Sequence, residues 1–258
     1  MMNLHITGNG PPLLLVHGLG GAWQSWEPIL AELAKHRTVH AIDLPGHGQS
    51  PAGMGADTFA GLADALAGEI AARGWRGMPM VGSSLGGRLV LEMARLGLAK
   101  NVVALDPGGF WMGWERPFFA TTIGSSVKLL RALGTALPAL AKNPVSRSAL
   151  LAQLSARPWA LDGRIVADEL ARYAKTPTVM ALIADLAKAP MQAGPAAPGT
   201  GRVTIGWGRH DRLCLPQQAH RAVAAFPGST LHWFEHSGHF PFWDEPAEAV
   251  RVIVAGTD

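Results

Sequence analysis

The sequence predicts an α/β fold: a mostly parallel sheet with helices on both faces and one inserted helical block. Three observations predict it. Apolar runs of strand length alternate with segments of helical period as far as Leu105, and again from Val203. That rhythm belongs to parallel strands joined by crossover helices. Between Phe110 and Ala189 no strand pattern is found, only helical pieces broken by Pro, Gly and Asn. Finally, Gly82-Ser83-Ser84-Leu85-Gly86 joins an apolar run directly to an amphipathic helix, so the chain must turn sharply at a strand end.

Each element follows from local pattern. Leu4 to Thr7 can supply one strand, and Pro12 to Val16 a buried one ending at His17-Gly18. Trp26 to Lys35 is a predicted helix with Ser25 as N-cap and Pro28 in its first turn. Thr38 to Ile42 is the next strand, and a turn-rich stretch from Asp43 to Ser50 follows it. A helix from Phe59 to Arg73 is capped by Asp57 or Thr58 and stopped at Gly74. Met78 to Val81 leads into the serine turn, Leu85 to Leu96 leaves it, and Asn101 to Leu105 is another strand.

In the block, Pro117 to Leu133 carries Phe119, Ile123, Val127 and Leu130 on one face. Ser148 to Ala156, Gly163 to Ala174 and Pro177 to Ala187 are further predicted helices, the last two capped by Asp162 and Thr176. The Pro/Gly/Ala-rich stretch 189–201 is the return linker. Strands at Val203 to Trp207 and Thr230 to Phe234 alternate with helices at Pro216 to Ala225 and Pro246 to Val254. The expected division is a core of residues 1–109 and 190–258, with 110–189 as the helical insertion.

Composition narrows the function classes. The chain has 258 residues, 48% hydrophobic and 16% charged, which supports one large domain with a sizeable core. The net charge of +3 comes from scattered Lys and Arg, without the basic stripe that nucleic-acid binding requires. No apolar stretch reaches the roughly 18 residues of a membrane span, and no basic-then-apolar leader opens the chain. A cytoplasmic protein, a monomer or homodimer acting on a small molecule, is the expectation. The single Cys214 excludes an internal disulfide framework and has no metal-ligand spacing around it. No cofactor and no metal are called for.

The pentapeptide carries the chemistry. A serine on a strand-to-helix turn adopts strained dihedrals, so the residues two before and two after it must lack bulk, as Gly82 and Gly86 do. The turn lifts the Ser84 hydroxyl clear of the sheet and leaves the Leu85 N–H free at a helix N-terminus, where developing negative charge is stabilised. Ser83 is a competing hydroxyl, but the glycine frame centres on Ser84. A serine nucleophile needs an adjacent base, and the base an orienting acid. Asp211, in Gly208-Arg209-His210-Asp211, and His239, in Ser237-Gly238-His239, each follow a strand, at the carboxyl ends where open parallel sheets bind ligands. Asp106, in Leu105-Asp106-Pro107, also follows a strand and is the alternative acid. His210 and His236 lack the Gly-His setting of His239. His17, His47 and Asp43 are expected to hold loops together.

Five motifs in order resemble the α/β-hydrolase fold family: His17-Gly18-Leu19-Gly20-Gly21, Asp43-Leu44-Pro45-Gly46-His47-Gly48, the serine pentapeptide, Gly208 to Asp211 and Ser237 to His239. The match runs nearly end to end, with a shortened amino-terminal hairpin as the one departure. The resemblance implies Ser84 as nucleophile, His239 as general base and then acid, and Asp211 as the group orienting the imidazole. It implies an oxyanion hole of the Leu19 and Leu85 N–H groups, with 110–189 as the cap. Serine at this position argues against haloalkane dehalogenase and epoxide hydrolase chemistry, which need a carboxylate nucleophile. Hydrolysis of an apolar or aromatic carboxylic ester is the first expectation, with Trp111, Trp114, Phe118 and Phe119 as candidate pocket residues. Hydrolysis of a C–C bond, as in meta-cleavage product hydrolases, is the alternative, drawn from Pro107-Gly108-Gly109 and Trp207 to Arg212. A non-catalytic ligand-binding protein on the same fold is the alternative from another class.

Overall fold

A computed structural model describes residues 1–258. Seven strands form one sheet: β1 (Leu4–Thr7), β2 (Pro12–Val16), β3 (Thr38–Ile42), β4 (Met80–Ser83), β5 (Val102–Leu105), β6 (Val203–Gly208) and β7 (Thr230–Phe234). Their spatial order is β1-β3-β2-β4-β5-β6-β7. Only β1 runs antiparallel, pairing Leu4 with Ile42 along the β3 edge. The central strands β2, β4 and β5 are apolar but for Ser83, because both of their faces are covered. Alternate residues of one strand serve opposite faces: Leu14 and Val16 join one core cluster, Leu13 and Leu15 the other.

The helices of the core are α1 (Glu27–Leu33), α2 (Phe59–Ala72) and α3 (Leu85–Arg95). The block between β5 and β6 holds α4 (Glu115–Leu133), α5 (Leu137–Lys142), α6 (Pro144–Leu150), α7 (Gly163–Lys175) and α8 (Val179–Leu186). The core then ends with α9 (Gln217–Ala225), α10 (Pro241–Asp244) and α11 (Pro246–Thr257). Leu62, Leu66 and Ile70 of α2 share one cluster with α3 and α9, while Ile29 of α1 and Ile253 of α11 belong to the other. No helix is long and apolar enough to cross a membrane.

Several boundaries differ from expectation. β4 runs on through Ser83, paired with Leu105, so the strand delivers the chain straight into the serine turn. The helix expected at 148–156 instead ends at Leu150, because it starts earlier: the Asn143 side chain accepts hydrogen bonds from the Val145 and Ser146 N–H groups, with Pro144 at N1. Ser25 does not cap α1; its hydroxyl is hydrogen-bonded to Glu169 at 2.6 Å and to the Ala22 N–H at 3.2 Å. Thr176 does not cap α8 either; its hydroxyl contacts the Gly20 and Arg172 carbonyls. Thr58 and Asp162 do cap α2 and α7. Phe119, Ile123, Val127 and Leu130 of α4 are all buried.

Candidate active site

Ser84 sits where β4 becomes α3, with φ +55° and ψ −113°. Only one other non-glycine residue, Asp106, has positive φ. The turn is closed by the Ser84 N–H donating to the Leu105 carbonyl at 2.9 Å and the Gly108 N–H donating to the Ser84 carbonyl at 3.2 Å. A methyl group on Gly82 would overlap the Gly86 carbonyl, and one on Gly86 would overlap the Val16 carbonyl. The glycines are therefore required by close backbone approach.

His239 Nε2 lies 2.9 Å from the Ser84 hydroxyl, and its Nδ1 lies 2.8 Å from Asp211 Oδ2. The other Asp211 oxygen accepts from the Leu213 and Cys214 N–H groups at 2.7 and 3.0 Å. Because the carboxylate accepts, Nδ1 carries the ring proton and Nε2 is left to receive the serine proton. Both side chains are buried, whereas His210 and His236 are exposed. The His239 N–H donates to the Leu154 carbonyl of the helical block at 2.8 Å. Asp106 lies buried close by, but it is Asp211 that meets the imidazole.

The loop after β2 completes the polar side. A methyl group on Gly18 would stand 3.3 Å from the Ser84 Cβ, so this loop passes directly against the serine. Neither the Leu19 nor the Leu85 N–H donates to a protein group, and both residues line the cavity. His17 donates from Nδ1 to the Gly18 carbonyl at 2.7 Å and accepts at Nε2 from the Leu44 N–H at 3.0 Å. Burial lowers its pKa and holds it neutral. Burial lowers His47 too, to about 3, with His17 as a further cause. Asp43 receives the Trp23 and Gln49 N–H groups. These three residues shape loops and do not meet the serine.

The serine opens into a cavity of about 220 Å³, lined by 30 residues of which 20 are hydrophobic. Trp111 and Phe119 line it, their ring centroids 4.8 Å apart. Trp114 and Phe118 do not: Trp114 is 63% exposed and meets Phe118 edge-on outside the cavity. Phe118 sits one position before Phe119, about 100° around α4 and off its inner face. Sequence reasoning missed the segment Leu150 to Leu154, Tyr173, Phe240 and Trp243, which also line the cavity. Phe240 could have been found as the neighbour of His239; the others come together only through tertiary packing. Asp211, Cys214 and His239 present donor atoms within 4.8 Å of one another. Asp211 and His239 already bond each other there, and burial raises the Cys214 pKa and keeps the thiol protonated, so the donor set does not suit a metal.

A family model for the alpha/beta hydrolase family matches residues 13–252. The chain belongs to that family. An uncharacterised protein of Mycobacterium tuberculosis is 29% identical, covering 96% of this chain and 75% of its own length. The pimeloyl-[acyl-carrier protein] methyl ester esterase of Stenotrophomonas maltophilia is 28% identical over 98% of this α/β-hydrolase and 96% of the esterase. Among solved structures, a thermophilic esterase from Thermogutta terrifontis superposes with a TM-score of 0.75 at 20% identity, covering 98% and 91% of the two chains. That last likeness is one of fold.

Proposed function

We propose that this α/β-hydrolase cleaves carboxylic esters with an apolar acyl or aromatic group through an acyl–serine intermediate. The observation that carries the proposal is the hydrogen-bonded line Ser84–His239–Asp211 opening into an apolar cavity. In this reading His239 removes the Ser84 proton as Oγ attacks the carbonyl. The Leu19 and Leu85 N–H groups receive the oxyanion. His239 then protonates the leaving alkoxide and activates the water that releases the acid. The methyl ester esterase relative supports an ester bond as the target.

A 4-nitrophenyl ester series of rising acyl length tests this. The expected result is a rise in kcat/KM of up to roughly fourfold per methylene, about 0.8 kcal/mol each, until the cavity is filled and the trend reverses. Ser84→Ala is expected to lose both this activity and labelling by a fluorophosphonate. Hydrolysis that survives in Ser84→Ala, or a folded wild type that hydrolyses none of the series, overturns the reading.

A further inference from the structure

Asp106 is a fully buried carboxyl at the carboxyl end of β5 for which the reaction above has no use. It shares with Ser84 a strained backbone, φ +44° against +55°, and strain of this kind persists only where the surroundings enforce it. Its N–H donates to the Gly206 carbonyl at 2.9 Å, and its Oδ1 accepts from the Gly208 N–H at 2.8 Å. Oδ2 is sealed from solvent and receives no donor. The Asp211 N–H donates to the carbonyl of the same Gly208 at 3.2 Å, so the two acids flank one glycine and the Asp211 carboxyl is the acid beside Asp106.

Two buried carboxyls in contact cannot both be ionised. The surroundings decide which keeps the proton. Asp211 receives three donors, from Leu213, Cys214 and His239, whereas Asp106 receives one. Asp244 is a further acid that disfavours a second charge at Asp106, Cys214 is a neutral thiol, and His239 is the only basic side chain bonded to either carboxyl. We infer that Asp106 is a neutral carboxylic acid sharing its proton with Asp211, a positioning residue that holds the triad carboxylate in line with His239. Burial first, and then the Asp211 charge, push Asp106 well above the usual carboxylate range, in agreement. The arrangement fixes Asp211 without placing a second negative charge beside the imidazole.

The inference rests on the serine-hydrolase reading for its role in turnover, but its first test needs no turnover. Infrared spectra near neutral pH are expected to show a protonated-carboxyl band in the wild type that is absent in Asp106→Asn. In Asp211→Asn the band should shift, because its acceptor is no longer a carboxylate. A wild type without the band, or a band unmoved by Asp211→Asn, overturns the inference. The amide introduced by Asp106→Asn can still accept from the Gly208 N–H and donate to Asp211, while the side chain of Asp106→Leu can do neither. In ester hydrolysis, Asp106→Asn should stay within about threefold of wild type with the same acidic pH limb, and Asp106→Leu should lose about tenfold in kcat at constant KM. Equal losses in both variants would overturn it, since the charge and not the shared proton would then matter. A protein that shows the band but acylates no serine would sink the hydrolase reading alone.

Discussion

Ser84 and Asp106 end neighbouring strands, and the chain holds both in the left-handed region of backbone space that other side chains avoid. Two strained residues thus stand on adjacent strand ends, one carrying the hydroxyl that meets His239 and the other a buried acid. The Asp106 proton has a consequence for stability. Its folded pKa lies above the ordinary 3.8, so the native state keeps a proton that the unfolded chain releases. Its contribution is fully present below the unfolded value and is lost as pH rises towards the folded one, by up to about 1.4 kcal/mol per pH unit. Asp106→Asn carries no such proton. Urea unfolding of the two proteins between pH 4 and 6, on the order of the window in which only the unfolded Asp106 ionises, should show the variant gaining steadily on the wild type. A constant difference would mean that Asp106 is ionised in the fold.

Among the elements, α6 shows how a cap sets contacts at a distance. Asn143 starts the helix early and lets it finish at Leu150, so residues 151–154 turn and present the Leu154 carbonyl to His239. Asn143→Ala should cost about 1 kcal/mol of stability, read in thermal melts, with fluorophosphonate labelling of Ser84 retained. The sequence made the serine turn legible because glycine spacing and an apolar run are local signals. Asp211 and His239 were legible for the same reason, each following a strand and a glycine. The inner face of α4 was legible from its period. What stayed hidden depends on residues far apart in the chain: Leu154 and His239 are separated by several whole elements, a distance over which periodicity carries no information. Local rules favour Ser25 and Thr176 as caps, yet Glu169 and the Gly20 carbonyl take their hydroxyls.

At the scale of the whole molecule, the helical block is fastened to the loop that carries His239. The Asp244 carboxylate accepts from the Ser155 hydroxyl and the Ala156 N–H on the block and from the Gly238 N–H beside His239. Asp244→Asn should lose about 2 kcal/mol of stability, and in hydrogen exchange residues 154–157 and 236–240 should speed up together. Separate rates for the two segments would show that they are not joined. The Leu154 carbonyl also accepts from the His239 N–H, so any swing of the block that widens the route to Ser84 pulls on the backbone of His239. Under the proposed function, admission of substrate and readiness to react are then successive states of one machine. Under the proposed hydrolase reading turnover acquires a mechanical order, and with good substrates kcat/KM should track solvent viscosity, the mark of a step of admission and not of a chemical barrier.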